Sequence, residues 1–191
     1  MVKKLLTTLA FIFLTSPSFG FEHEKLNDVI QGGVFRYIIT MMPPSIDDQP
    51  VIPIGSIEVY DSEFGLILVP KLSQIPAGIH GFHIHENPSC QNKKMDDGKI
   101  IIFGNAGGHF DPQKTGKHLG PYGNGHLGDL PAFILPEDLR NSLPILAPRL
   151  TANDILGHSI IIHEQADNYS DFPKKLGGGG KRISCGIITK N

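Results

Sequence analysis

The chain has 191 residues, with 17 Lys plus Arg against 19 Asp plus Glu, 9 His, 2 Cys and no Trp. That length suits one domain able to bury its own core, and the even charge argues against a nucleic-acid binder, which would need a basic surface. The 22 Gly and 15 Pro favour many turns and an all-β or loop-rich chain.

The N-terminus reads as a leader. Lys3 and Lys4 precede a mainly apolar stretch from Leu5 to Leu14, and Thr15 to Gly20 is small and turn-prone. This is the layout of a secretory signal peptide over residues 1–20, cut near Gly20, and its apolar run is short for a membrane-spanning anchor. No Cys lies near the cut to carry a lipid, and no later segment reaches transmembrane length, so no stable membrane insertion is expected. Removing the leader takes two lysines and no acid, leaving 15 basic against 19 acidic residues, a net −4. An anionic substrate would therefore need a local positive patch rather than the field of the whole molecule.

Residues 21–32 are polar and charged and read as an N-terminal tail; residues 33–191 form the domain. Gly33 to Met41 is a strand candidate rich in β-branched and aromatic residues. Pro43 to Pro53 carries four prolines, a turn or insertion that cannot sit inside a sheet. Gly55 to Tyr60 and Gly65 to Val69 read as a hairpin about Asp61-Ser62-Glu63. Ile79 to His85 is a further strand, followed by a polar run to Lys99. From Asn105 to Asp129 there is little periodicity, and a loop of that length is usually functional or disordered. Leu130 to Leu135, Pro148 to Leu150, Ser159 to His163 and Arg182 to Thr189 complete the strands, and Glu137 to Leu143 hints at a helical turn. About eight short strands separated by turns predict an antiparallel sandwich or barrel.

Cys90 and Cys185, an even pair in an exported chain, read as one disulfide, with two free thiols or an intermolecular bridge as the alternatives. Six histidines fall into a pattern. His83 and His85, two apart on a strand, share a face and could reach one metal, while Phe82 and Ile84 point to the core. His109, His118, His126 and Asp129 lie in the long loop and make a closed set of three nitrogens and one oxygen suited to tetrahedral zinc. Gly120 to Gly125 lets the backbone wrap tightly there. His163 ends an apolar strand and by itself reads as a surface or capping residue; His23, His80 and His158 read as structural or exposed.

Gly81-Phe82-His83-Ile84-His85, Ala106-Gly107-Gly108-His109, Gly125-His126-Leu127-Gly128-Asp129-Leu130-Pro131 and Gly177 to Arg182 through Cys185-Gly186 together resemble the copper–zinc superoxide dismutase family in its exported bacterial branch. The resemblance runs from about Gly55 to Ile188. It implies a Greek-key antiparallel β-sandwich or barrel, export to the periplasm, and one copper and one zinc per subunit. Copper would be held by His83, His85, His109 and His163, and zinc by His109, His118, His126 and Asp129, so that His109 bridges the two. Asp167 resembles the carboxylate that hydrogen-bonds ligands of both sites, and Arg182 the guanidinium that receives the superoxide anion. The activity implied is dismutation of superoxide to dioxygen and hydrogen peroxide by redox cycling of copper, with His109 taking and returning a proton. Imidazole donors suit copper and zinc, where an oxygen-rich set would suit calcium or magnesium.

The competing reading is an exported copper and zinc carrier without turnover, which would need neither Arg182 nor a bridging His109. A zinc hydrolase would keep an open zinc position, and this set is full. Gly177 to Arg182 looks like a phosphate loop but lacks the Ser or Thr after Lys181. Lys93, Lys94 and Lys99 either steer the substrate or sit on a solvated loop diluted by Asp96 and Asp97. Asn168-Tyr169-Ser170 fits a glycosylation sequon, unused in a bacterium. Monomer and homodimer are both open.

Overall fold

A computed structural model describes residues 32–46, 49–137 and 143–190. The leader, nearly all of the N-terminal tail and most of the helical turn read at Glu137 to Leu143 lie outside the described residues. No helix among those described is long and apolar enough to cross a membrane.

The strands are β1 (Val34–Met41), β2 (Gly55–Ser62), β3 (Gly65–Leu72), β4 (Gly78–His80), β5 (Phe82–His85), β6 (Lys93–Lys94), β7 (Ile100–Ile101), β8 (Phe133–Leu135), β9 (Ile145–Ala147), β10 (Ser159–His163) and β11 (Arg182–Ile187). They pair antiparallel in a four-stranded sheet β1-β2-β3-β9, a three-stranded sheet β11-β10-β5 and two short ladders, β4-β8 and β6-β7. The chain leaves the first sheet after β3, builds part of the second, and returns as β9 beside β3. This is the expected all-β sandwich.

The burial pattern explains the layering. In β1, Tyr37, Ile39 and Met41 alternate inward, as a sheet with one solvated face requires. All five residues of β10 are buried: Ile160 and Ile162 face the main core with Phe82, Ile84 and Phe133, while Ile161 packs in a second cluster with Phe103, Ala106 and Cys185. Each such side chain contributes about 1.5–3 kcal/mol by leaving water. With both faces covered, β10 reads as a continuous apolar run.

Several boundaries differ from the sequence reading. The hairpin strands β2 and β3 are longer than read, because Ser62 and Gly65 pair directly and the turn shrinks to Glu63-Phe64. The stretch from Ile79 to His85 is two strands. Gly81 breaks it, donating to the Gln165 carbonyl (2.8 Å), so β4 pairs with β8 and β5 with β10. Leu130 to Leu135 contracts to Phe133–Leu135 after Pro131. The strand read at Pro148 to Leu150 is corrected to Ile145–Ala147. Pro148 has no N–H for the ladder, and Leu150 closes a turn on the Ala147 carbonyl at 3.3 Å. The last strand ends at Ile187 rather than Thr189. The described residues of the segment Pro43 to Pro53 lie outside the ladder, and Met41 and Gly55 pair as neighbours across its ends.

Candidate metal centre

β5 is the frame of the site. One edge pairs with β10. The other is covered by two stretches of the long loop: Phe110 donates to the Ile84 carbonyl (2.8 Å), Ile84 to Gly128 (2.9 Å), and Glu86 to Gly108 (3.0 Å). These bonds satisfy an edge that would otherwise be bare. They also set His85 opposite His109 and His83 opposite Asp129. Alternation along β5 then does the rest, sending Phe82 and Ile84 into the core and both histidines to the other face. His163 joins them from the end of β10, where a register shift after Ile162 turns its ring.

The six histidines and Asp129 are all buried and fall into two groups. In each of the sets His83, His85, His109, His163 and His109, His118, His126, Asp129, the potential ligand atoms lie within 4.8 Å of one another. His109 belongs to both, its ring stacked on His83 with centroids 4.0 Å apart.

Hydrogen bonds fix which nitrogen of each ring is free. A nitrogen facing a carbonyl or carboxylate oxygen carries the proton, leaving the other with its lone pair. His85 Nδ1 donates to the Gly107 carbonyl (3.1 Å), His163 Nδ1 to the Gly180 carbonyl (3.3 Å), and His83 Nε2 to Asp167 Oδ2 (2.7 Å). His118 Nε2 donates to Asp167 Oδ1 at 2.8 Å. The remaining atoms of the first set, His83 Nδ1, His85 Nε2 and His163 Nε2, are buried with no hydrogen-bond partner. Three such orphans in one place are costly unless something binds them. In the second set the Nδ1 atoms of His109, His118 and His126 lie 2.9, 3.0 and 3.3 Å from the single oxygen Asp129 Oδ1. Tetrahedral bonds of about 2.0 Å imply ligand–ligand separations of about 3.3 Å, so the set fits zinc, and the all-imidazole set fits copper.

Charge separates the two sets. Burial, then the neighbouring His109, hold His83 and His85 well below the ordinary histidine pKa, and the same causes bring His163 to about 4; these rings are neutral donors. Burial also pulls His118 down, but hydrogen bonds to Asp129 and Asp167 outweigh it and raise its pKa to about 9. Burial raises Asp129, but its hydrogen bonds from His109 and His118 win and hold it well below the carboxylate range. Asp167 ties the sets together by accepting from His83 and His118. Gly177 (φ +70°) covers it, where any side chain would collide with the Asp167 carboxylate and the His118 ring.

The free faces of His85, His109 and His163 open into a cavity of about 510 Å³. Arg182 stands at its wall. Its Nη1 donates to the Phe103 carbonyl (2.6 Å) and its Nη2 to the Gly107 carbonyl (2.7 Å), the same carbonyl that orients His85. Cys90 and Cys185 are joined, Cα atoms 5.7 Å apart. The disulfide thereby ties the segment that follows β5 to β11, three residues from Arg182. Sequence reasoning missed Lys174, Lys175 and Lys181, which line this cavity with Glu164 as the one carboxylate. Lys93 and Lys94 form β6, exposed, and neither they nor Lys99 line it. His80 is structural as read, its ring between the His163 and Pro76 carbonyls. A further cavity of about 430 Å³, lined by Met42, Pro43, Cys90 and Phe103, lies on the disulfide side and contains none of the histidines.

The profile of the family described as copper/zinc superoxide dismutase (SODC) matches residues 54–188. The chain is 40% identical over 178 residues to a Cu-Zn superoxide dismutase of Photobacterium leiognathi, covering 93% of this chain and 96% of the relative. It is 52% identical over 139 residues to Cu-Zn superoxide dismutase 1 of Salmonella typhimurium (strain LT2), covering 72% and 78%. Among solved structures it is similar to the Cu/Zn enzyme of Brucella abortus (TM-score 0.74, 40% identity, 80% of this chain and 98% of that one). It is also similar to the monomeric copper, zinc enzyme of Salmonella enterica (TM-score 0.70, 43% identity, 80% and 99%).

Proposed function

Since the chain belongs to the copper/zinc superoxide dismutase family, we propose that His83, His85, His109 and His163 are its copper ligands and His109, His118, His126 and Asp129 its zinc ligands. Its reaction is the dismutation of superoxide to dioxygen and hydrogen peroxide, with copper and zinc as cofactors. The observation that carries the ligand assignment is the three buried imidazole nitrogens of His83, His85 and His163 without partners.

Copper supplies the one-electron redox couple, and zinc, which has none, supplies fixed positive charge. The chain's own residues do the rest. The Gly107, Gly180 and Asp167 oxygens hold three imidazoles in one tautomer and aim their lone pairs at one point. The His109 ring lies between the sets, Nδ1 toward Asp129, and its Nε2 can hold a proton and give it to a departing peroxide. Arg182 keeps three N–H groups beyond the two it donates to carbonyls. A permanently charged planar fork at the cavity wall stabilises an arriving anion better than a mobile ammonium.

Three expectations follow. Purified chain loaded with copper and zinc accelerates superoxide decay in proportion to bound metal. Binding of both metals with no decay above free copper would return the reading to a carrier. Arg182→Met, with both metals still bound at one each, lowers kcat/KM about ten- to a hundredfold. Wild-type kcat/KM would remove Arg182 from substrate recognition.

The Lys174, Lys175, Lys181 and Arg182 charges outnumber Glu164 at the cavity in a chain whose net charge is negative. Lys174→Glu with Lys181→Glu lowers kcat/KM about tenfold at low ionic strength. The deficit shrinks as added salt shortens the Debye length toward ~3 Å. The same reversals at Lys93 and Lys94 leave the rate unchanged. Equal effects of the two pairs would assign the steering to overall charge.

We place the enzyme in the periplasm, with residues 1–20 as a cleaved signal peptide, 21–32 a tail and 33–191 the catalytic domain. The basic-then-apolar leader and a disulfide that suits an oxidising compartment support this.

A further inference from the structure

We infer that Arg149, which touches no ligand atom, is the positioning residue that holds the zinc-ligand loop in its binding shape. Its guanidinium spends every nitrogen on that loop. Nε donates to the Pro121 carbonyl (2.7 Å), Nη1 to Gly125 (3.4 Å), and Nη2 to Gly120 (3.2 Å) and to His126 (2.7 Å). All four acceptors lie between the zinc ligands His118 and His126 or on His126 itself.

The segment needs such a clamp. Gly120, Gly123 and Gly125 give it much conformational freedom to lose. Its own backbone bonds are few: His126 donates to the Lys117 carbonyl (2.9 Å), and Asp129 reaches the His126 carbonyl only at 3.4 Å. Among the described residues, the Gly120, Pro121 and Gly125 carbonyls accept from no group but Arg149. Among the described residues Arg149 has no carboxylate within ion-pairing distance, so its partly buried charge is met by these carbonyl dipoles, with the Asp129 carboxylate acting on it only from farther away. A planar fork with donors at fixed angles can fix four carbonyls at once; a Lys ammonium, with three freely rotating donors, cannot. The placement of Arg149 is itself firm, because it follows β9 on the edge of the four-stranded sheet. The sheet thus lends its rigidity to a loop with no regular structure.

The inference rests on the zinc-ligand assignment above. The test titrates metal-free chain with Zn²⁺ against a chromophoric chelator, for wild type, Arg149→Met and Arg149→Lys. Copper binding and backbone hydrogen exchange are read in parallel. Arg149→Met weakens zinc binding about ten- to a hundredfold, as loss of an orienting partner does. Arg149→Lys recovers only part of this, and copper affinity is unchanged. Exchange in the metal-free protein rises over residues 118–129 and not in β10 or β11. Wild-type zinc affinity in Arg149→Met overturns the inference, as does a loss shared equally by both metals and both sheets. If Arg149→Met does not fold, Arg149→Lys decides: weakened zinc binding with unchanged sheet exchange supports the role, and wild-type affinity overturns it. A wild-type chain that takes up no zinc would instead overturn the ligand assignment itself.

Discussion

Replacing His163 by Ala lowers kcat/KM for superoxide by at least about a hundredfold and removes copper while leaving one zinc per chain. Loss of a partner that merely orients a ligand costs ten- to a hundredfold in metal affinity or activity, and loss of the ligand itself costs more. His163 Nε2 is buried with no protein partner. It is also the one candidate copper ligand outside β5 and its flanking loop. The zinc set does not include it. Metal analysis and superoxide decay on the same sample check both halves. Activity within a few-fold of wild type, or zinc lost together with copper, would refute the division of ligands.

Removing the disulfide, as Cys90→Ser with Cys185→Ala, lowers the melting temperature of the metal-free protein by roughly 10–15 °C. The bridge spans 95 residues, and closing a loop of that size in the unfolded chain contributes about 4–5 kcal/mol in the chain-entropy model. A domain of this size shifts by about 2–4 °C per kcal/mol. Ala is chosen at position 185 because Cys185 is fully buried among Phe103, Ala106 and Ile161, where a hydroxyl would lack a partner. Metal-free protein is used because bound ions would add their own stabilisation. A shift under about 3 °C would mean that the loop is already restrained in the unfolded state.

The sequence made most of the candidate ligand histidines legible for a local reason: alternation on β5 needs only adjacent residues, and the proposed zinc donors fall in one loop. His163 was opaque by itself, because only the pairing of β10 with β5 brings it to the others; family resemblance supplied it, with Asp167 and Arg182. Lys174, Lys175 and Lys181 were missed, and Lys93, Lys94 and Lys99 were left open between steering and solvent, because lysine clusters cannot be told apart until loops are folded over a cavity. Arg149 gave no signal either. It follows a proline in an ordinary stretch, and its acceptors are 23 to 29 residues away. The misplaced ninth strand has a different origin: Pro148 and Arg149 already argued against a strand at Pro148 to Leu150, and the pairing with β3 falls on the apolar triplet just before them.

The Gly107 carbonyl accepts from both His85 Nδ1 and Arg182 Nη2, so one oxygen is the common datum for a proposed copper ligand and for the cation proposed to meet the substrate. Both side chains leave strands of one sheet, β5 and β11, so this carbonyl locks the two to each other across β10. Their relative alignment is thereby set by two hydrogen bonds to one atom.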